Sequence, residues 1–116
     1  MSTPLRSTPR PGGYSDLDPQ EAHKNLGALR IVDVREPHEF NDALGHVAGA
    51  TLAPLGSIPG ALRDWDHDSA LLVICRSGGR SARASIALAQ AGFGQVYNLA
   101  GGMMGWNAAG LPVLRG

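Results

Sequence analysis

Ala70-Leu71-Leu72-Val73-Ile74-Cys75-Arg76-Ser77-Gly78-Gly79-Arg80-Ser81 joins an unbroken apolar run to a glycine turn and then to a stretch of helix formers. Ala70 to Ile74 has no polar residue, so as a strand it has no face for water and belongs in the middle of a sheet covered on both sides. From Ser81 to Gln90 the residues favour a helix, with Arg80, Arg83 and Gln90 on one stripe and Ala and Ile elsewhere. Buried strand, tight turn and helix in that order form the building unit of a parallel α/β sheet.

The flanking sequence repeats the alternation. Leu29 to Val34, Ala50 to Ala53 and Gln95 to Leu99 read as further strands, rich in β-branched or apolar residues. Asp18-Pro19-Gln20-Glu21 has the chemistry of a helix start, with Gly27 expected to end it. Pro37 opens a second helix toward Leu44, stopped at Gly45. Ser57 to Trp65 is expected to be helical with Pro59 in its first turn, and a short helix over Met103 to Ala109 ends at Gly110. Strands alternating with helices imply a parallel sheet with helices on both faces.

Residues 1–13 contain Ser, Thr, Pro, Arg and two Gly with almost no apolar content, and are expected to form a flexible tail before a domain spanning 14–116. With 116 residues, 43% apolar and 17% charged, the chain holds one globular core that buries about two-thirds of its unfolded surface. Ten basic and ten acidic side chains cancel, and no basic cluster marks a nucleic-acid or anionic-membrane surface. No apolar stretch approaches the ~20 residues of a membrane span, and the proline-broken N-terminus lacks the apolar block of a secretory signal. A cytoplasmic location is expected.

The chain has a single cysteine. It can form neither an internal disulfide nor a multi-thiolate zinc site, so the thiol is either core filler or reactive chemistry. Its position favours chemistry: ligands of parallel sheets bind beyond the carboxyl ends of the strands, and Cys75 follows the central strand directly. The loop Arg76, Ser77, Gly78, Gly79, Arg80, Ser81 then leads into a helix N-terminus, where free backbone N–H groups and two cations favour a thiolate over a thiol. Such settings lower a cysteine pKa from ~8.5 to as little as ~3.5 to 7.5. A filler cysteine has no reason to attract a double glycine and two arginines.

The size of the cup bears on its substrate. Four residues separate Cys75 from Arg80, one fewer than in the C-x5-R loop that wraps a phosphate in cysteine phosphatases. A shorter ring suits one extra sulfur atom on Cys75 better than a phosphoryl group, with backbone N–H groups stabilising a persulfide anion and Arg76 and Arg80 drawing in an anionic donor.

Four motifs then carry a family resemblance: Ile31-Val32-Asp33-Val34-Arg35-Glu36, Gly45-His46-Val47-Ala48-Gly49-Ala50, Cys75 to Ser81, and Asn98-Leu99-Ala100-Gly101-Gly102 before Trp106. In order and spacing, over roughly residues 14 to 113, the chain resembles the rhodanese (thiosulfate sulfurtransferase) domain. The resemblance implies a rhodanese-like α/β fold with a mainly parallel five-stranded sheet flanked by helices on both faces. It also implies Cys75 as the sulfur-accepting nucleophile, Arg76, Ser77, Gly78, Gly79 and Arg80 as the loop that cradles it, and Ser81 as the cap of the next helix.

Other polar residues have plainer readings. Asp33 and Arg35 at a strand end are expected to be a fold-holding ion pair, and His46 a structural hydrogen-bonding residue. His23, His38 and His67 lack ligand spacing, so neither a metal nor a cofactor is expected. Asp64-Trp65-Asp66-His67-Asp68 reads as a solvated turn. Met103, Met104 and Trp106 fit either the pocket wall or the core.

The expected activity is sulfur transfer from thiosulfate or a similar donor anion to cyanide, a thiol or a sulfur-accepting protein, through a Cys75 persulfide. The alternatives are a persulfide carrier or docking module without turnover and, disfavoured by loop length, a cysteine phosphatase or arsenate reductase.

Overall fold

The computed structural model describes residues 5–115. Among the described residues, six strands form one sheet: β1 (Thr8–Arg10), β2 (Tyr14–Leu17), β3 (Arg30–Asp33), β4 (Thr51–Leu52), β5 (Ala70–Ile74) and β6 (Gln95–Leu99), in the order β1-β2-β6-β5-β3-β4. The five strands from β2 to β4 run parallel, as expected, and β1 adds an antiparallel edge. Four α-helices accompany them: α1 (Pro19–Lys24), α2 (Pro37–Phe40), α3 (Gly79–Gln90) and α4 (Gly102–Ala108).

β5 is central, paired with β3 over Leu71 to Ile74 and with β6 over Ala70 to Val73. Its side chains divide between two cores. Leu71, Val73 and Cys75 join the cluster that includes Ala84 and Leu88 of α3, while Leu72 and Ile74 join Leu17, Ala22, Met103 and Trp106 of the opposite layer. Both faces are covered, which is why this strand shows no polar alternation. The same period of two aims the Cys75 side chain toward α3.

Several local expectations change. Residues 1–4 of the expected tail lie outside the described residues, but the later part is ordered against the domain. Thr8–Arg10 pairs with Tyr14–Leu17, and the Arg6 backbone N–H donates to Glu21 Oε2 at 3.0 Å. Pro9 is tolerated because an edge strand does not need every N–H in the ladder.

The helix expected over 57–65 is instead two 3-10 turns, Leu55–Ser57 and Gly60–Leu62. Pro59 lacks a donor and Gly60 is a poor helix former, so α-helical bonding does not propagate. The helix opened by Pro37 stops at Phe40, well before Leu44, and α1 ends at Lys24 before Gly27 is reached. At its start, Glu21 N–H donates to Asp18 Oδ1 at 2.8 Å, the expected cap.

Asp33 and Arg35 are both fully buried and bonded to each other, with Arg35 Nη2 and Asp33 Oδ2 2.8 Å apart. The same nitrogen donates to the Gly45 carbonyl at 2.8 Å, so the pair fastens the end of β3 to the turn after α2. His46 stacks on Phe40 at 3.8 Å and its Nδ1 lies 2.9 Å from the Phe40 carbonyl.

Candidate active site

Cys75 sits one residue beyond the carboxyl end of β5, under the N-terminus of α3. It is 1% exposed. Its Sγ accepts from the Gly78 backbone N–H at 3.0 Å and from the Ser81 hydroxyl at 3.2 Å. Burial pushes the thiol pKa up, but the Ser81 hydroxyl and the backbone N–H groups of Ser81, Gly78 and Ser77 outweigh it, and the net shift is downward from 9.0. Hydrogen-bond donors that point at sulfur favour its charged form.

Only one of the two adjacent glycines is needed for the turn. Gly78 has φ +110°, a left-handed conformation that residues with a Cβ resist, whereas Gly79 is the first residue of α3. The loop's carbonyls are fixed from the other side. Cys75 O accepts from the Met103 N–H at 2.9 Å and Arg76 O from the Met104 N–H at 3.0 Å. Carbonyls turned into the start of α4 leave the loop's N–H groups for the sulfur. Gly102 makes this docking possible, since a Cβ there would stand 2.5 Å from both carbonyl oxygens.

The two arginines differ. Arg76 is exposed on the loop. Arg80, expected to attract an anionic donor, holds Glu39 of α2 in a two-pronged ion pair with contacts of 2.6 and 2.8 Å. The Arg80 hydrogen bonds, helped by the Glu36 N–H, hold the Glu39 carboxyl at a pKa of about 2 against the burial that pushes it up, and Glu39 raises the Arg80 pKa in return. Glu39 was not among the residues singled out from the sequence. The one available signal was an acidic residue in the first turn of the helix begun by Pro37.

Ser81 does not cap α3. It lies inside the first turn, Gly78 is the N-cap, and the hydroxyl turns inward to Cys75, to the Gly78 carbonyl and to Asn98 of β6. Asn98 is itself 5% exposed and donates from Nδ2 to Asp16 Oδ1 of β2 at 2.9 Å. Met103 and Trp106 are fully buried core residues, the Trp106 indole donating to the Pro112 carbonyl, while Met104 is half exposed.

Thus the Gly78 N–H and the Ser81 hydroxyl converge on the Cys75 sulfur, with Gly79 and Arg80 building the helix start behind them. What results is a small anion cradle around a sulfur whose thiol pKa is lowered.

Comparison with known proteins agrees with this geometry. The family model described as rhodanese-like domain matches residues 18–109. A thiosulfate sulfurtransferase GlpE of Stutzerimonas stutzeri is 38% identical over 95 residues, covering 80% of this chain and 84% of that protein. A sulfurtransferase of Allochromatium vinosum is 38% identical over 84 residues, covering 72% of this chain and 77% of that protein. Among solved structures, a rhodanese-related protein from Thermoplasma volcanium superposes with a TM-score of 0.78 at 29% identity, covering 85% of this chain and 96% of its own.

Proposed function

Since the chain belongs to the rhodanese-like family of sulfurtransferases, we propose that it is a thiosulfate sulfurtransferase whose nucleophile is Cys75. The observation that carries the reading is the ring of donors on one buried sulfur: Gly78 N–H at 3.0 Å and Ser81 Oγ at 3.2 Å, with carbonyls of the same loop drawn away by α4.

In the first half-reaction the Cys75 thiolate attacks the outer sulfur of thiosulfate. The sulfur–sulfur bond of the donor breaks, sulfite leaves with the electron pair, and Cys75 carries a persulfide anion. In the second, cyanide or a thiolate attacks that outer sulfur and the Cys75 thiolate is regenerated. Charge is conserved in both steps and neither demands a proton transfer, so catalysis is mainly electrostatic. The backbone N–H groups of Ser77, Gly78 and Ser81 hold negative charge as it moves from one sulfur to the next, and Gly79 and Arg80 keep the helix end in place. Arg76, exposed at the rim, meets the donor's sulfonate.

The burial of Cys75 supports a donor that presents one small terminal atom. The acceptor is cyanide, a small thiol or the thiol of a partner protein. A cytoplasmic setting suits a chain whose one cysteine must stay reduced or persulfidic. No helix among the described residues is long and apolar enough to cross a membrane.

Steady-state thiocyanate formation from thiosulfate and cyanide tests the reading. Turnover supports it; a protein that neither turns over nor loads sulfur contradicts it.

A further inference from the structure

Asn98 is a polar residue where the alternation of β6 calls for an apolar one. It lies on the same face as Val96, over the cluster that contains Val73 and Cys75. A buried amide at such a place requires partners for both its ends, and it has them: Asp16 Oδ1 at Nδ2 and the Ser81 hydroxyl at Oδ1.

The chemistry of the partners fixes the orientation. A carboxylate only accepts, so Asp16 takes the NH2 end of Asn98 and leaves the carbonyl end facing Ser81. A hydroxyl has one proton. Ser81 therefore gives it either to Asn98 Oδ1 or to Cys75 Sγ, which stands 3.2 Å away, with the Gly78 carbonyl at 3.2 Å a third acceptor. We propose that Asp16 and Asn98 are positioning residues that act through Ser81, retaining its proton on the amide while Cys75 is a thiol and yielding it once the sulfur is charged. The pair thereby limits how far the thiol is acidified, which preserves nucleophilicity, because a thiolate becomes a poorer nucleophile as its pKa falls.

This deepens the assignment of Cys75 as the nucleophile and rests on it. Other charged groups also face the sulfur and are left unchanged by the test. They are Arg80, whose charge couples to Cys75, with Glu39 and Glu36 beside it, and Arg76 on the same loop; Arg10 of β1, whose Nε lies 3.6 Å from Asp16 Oδ2, instead loses its partner in the Asp16 variants, an effect the Ser81→Ala background isolates.

Cys75 is the only cysteine, so the difference in ultraviolet absorbance against pH between each protein and its Cys75→Ser counterpart, which cancels the background of Tyr14 and Tyr97, reports the ionisation of Cys75 with no sulfur donor present. Ser81→Ala removes a donor to the charged form and raises the midpoint by about one pH unit. Asp16→Ala frees the Asn98 amide to turn its NH2 end to Ser81, releases the hydroxyl proton to sulfur, and lowers the midpoint by roughly half a unit. In the Ser81→Ala background, Asp16→Ala has no further effect. Asp16→Asn, which keeps the shape of the side chain, shifts the midpoint in the same direction as Asp16→Ala. An unchanged midpoint in both Asp16 variants overturns the proposal, and so does an equal shift with and without Ser81, which marks simple removal of a nearby charge. Because no donor is used, failure of this titration and failure of sulfur transfer are separate results.

Discussion

A Cβ placed on Gly102 would stand 2.5 Å from the carbonyl oxygen of Cys75, and as close to that of Arg76. The Cys75 loop and the start of α4 are thus in backbone contact, and Gly102 also has φ +59°. Neither the clash nor the dihedral can be relieved by a side-chain rotation. Gly102→Ala is expected to destabilise the protein by about 2–4 kcal/mol and to lose sulfur transfer beyond that. Urea unfolding read beside thiocyanate formation checks it; wild-type behaviour in both would show that α4 does not shape the loop.

Cys75→Ser removes the proposed nucleophile but keeps a small hydroxyl on the same donors. Transfer falls to background, while circular dichroism and the unfolding midpoint stay near wild type. Residual transfer above background in this variant would place the chemistry elsewhere.

The pairing of Arg80 with Glu39 predicts an effect on donor binding and one on acid stability. Glu39→Gln leaves the guanidinium charge uncompensated beside the loop, so KM for thiosulfate falls and becomes more sensitive to salt, whereas Arg80→Ala raises it. Initial rates over a range of ionic strength measure both. For stability, the folded pKa of Glu39, about 2, lies below its ordinary value of 4.5. The contribution is complete above pH 4.5 and is lost as pH falls toward 2. Solvent at Arg80 limits it to about 1 kcal/mol. The Glu39→Gln protein therefore differs most from wild type near neutral pH and converges with it in acid; an offset that persists at pH 2 contradicts the pairing.

The lowered thiol pKa predicts the pH dependence of the chemical step. Single-turnover loading from thiosulfate rises as the thiolate forms, with an apparent pKa below that of free cysteine, and then levels off. Ser81→Ala moves that limb to higher pH. A limb at or above that of free cysteine in the wild type would mean that the donors around Sγ do not favour charge.

What was legible in the sequence was what local chemistry determines. An all-apolar strand, a glycine turn and a helix start are contiguous, so the place of Cys75 at the end of the central strand could be read without knowing any long-range contact. The five parallel strands followed from the alternation together with the family resemblance. β1 was not legible, because Thr8, Pro9 and Arg10 are all exposed and pair through their backbone, which leaves no apolar pattern. Glu39 meets Arg80 across 41 residues and Asn98 meets Asp16 across 82, distances over which composition and spacing carry no signal. The role of Ser81 was misread for a related reason. Ser near a helix start usually caps it, but here Gly78 takes that position and the hydroxyl is drawn inward by sulfur and by a residue from another strand.

The most direct measurement is the intact mass of the purified protein after exposure to thiosulfate, followed by peptide mapping. One added sulfur atom per chain, carried on the peptide containing Cys75, absent from Cys75→Ser and discharged by cyanide as thiocyanate, is the predicted result. An unchanged mass, with a thiol that titrates like free cysteine, would contradict the account.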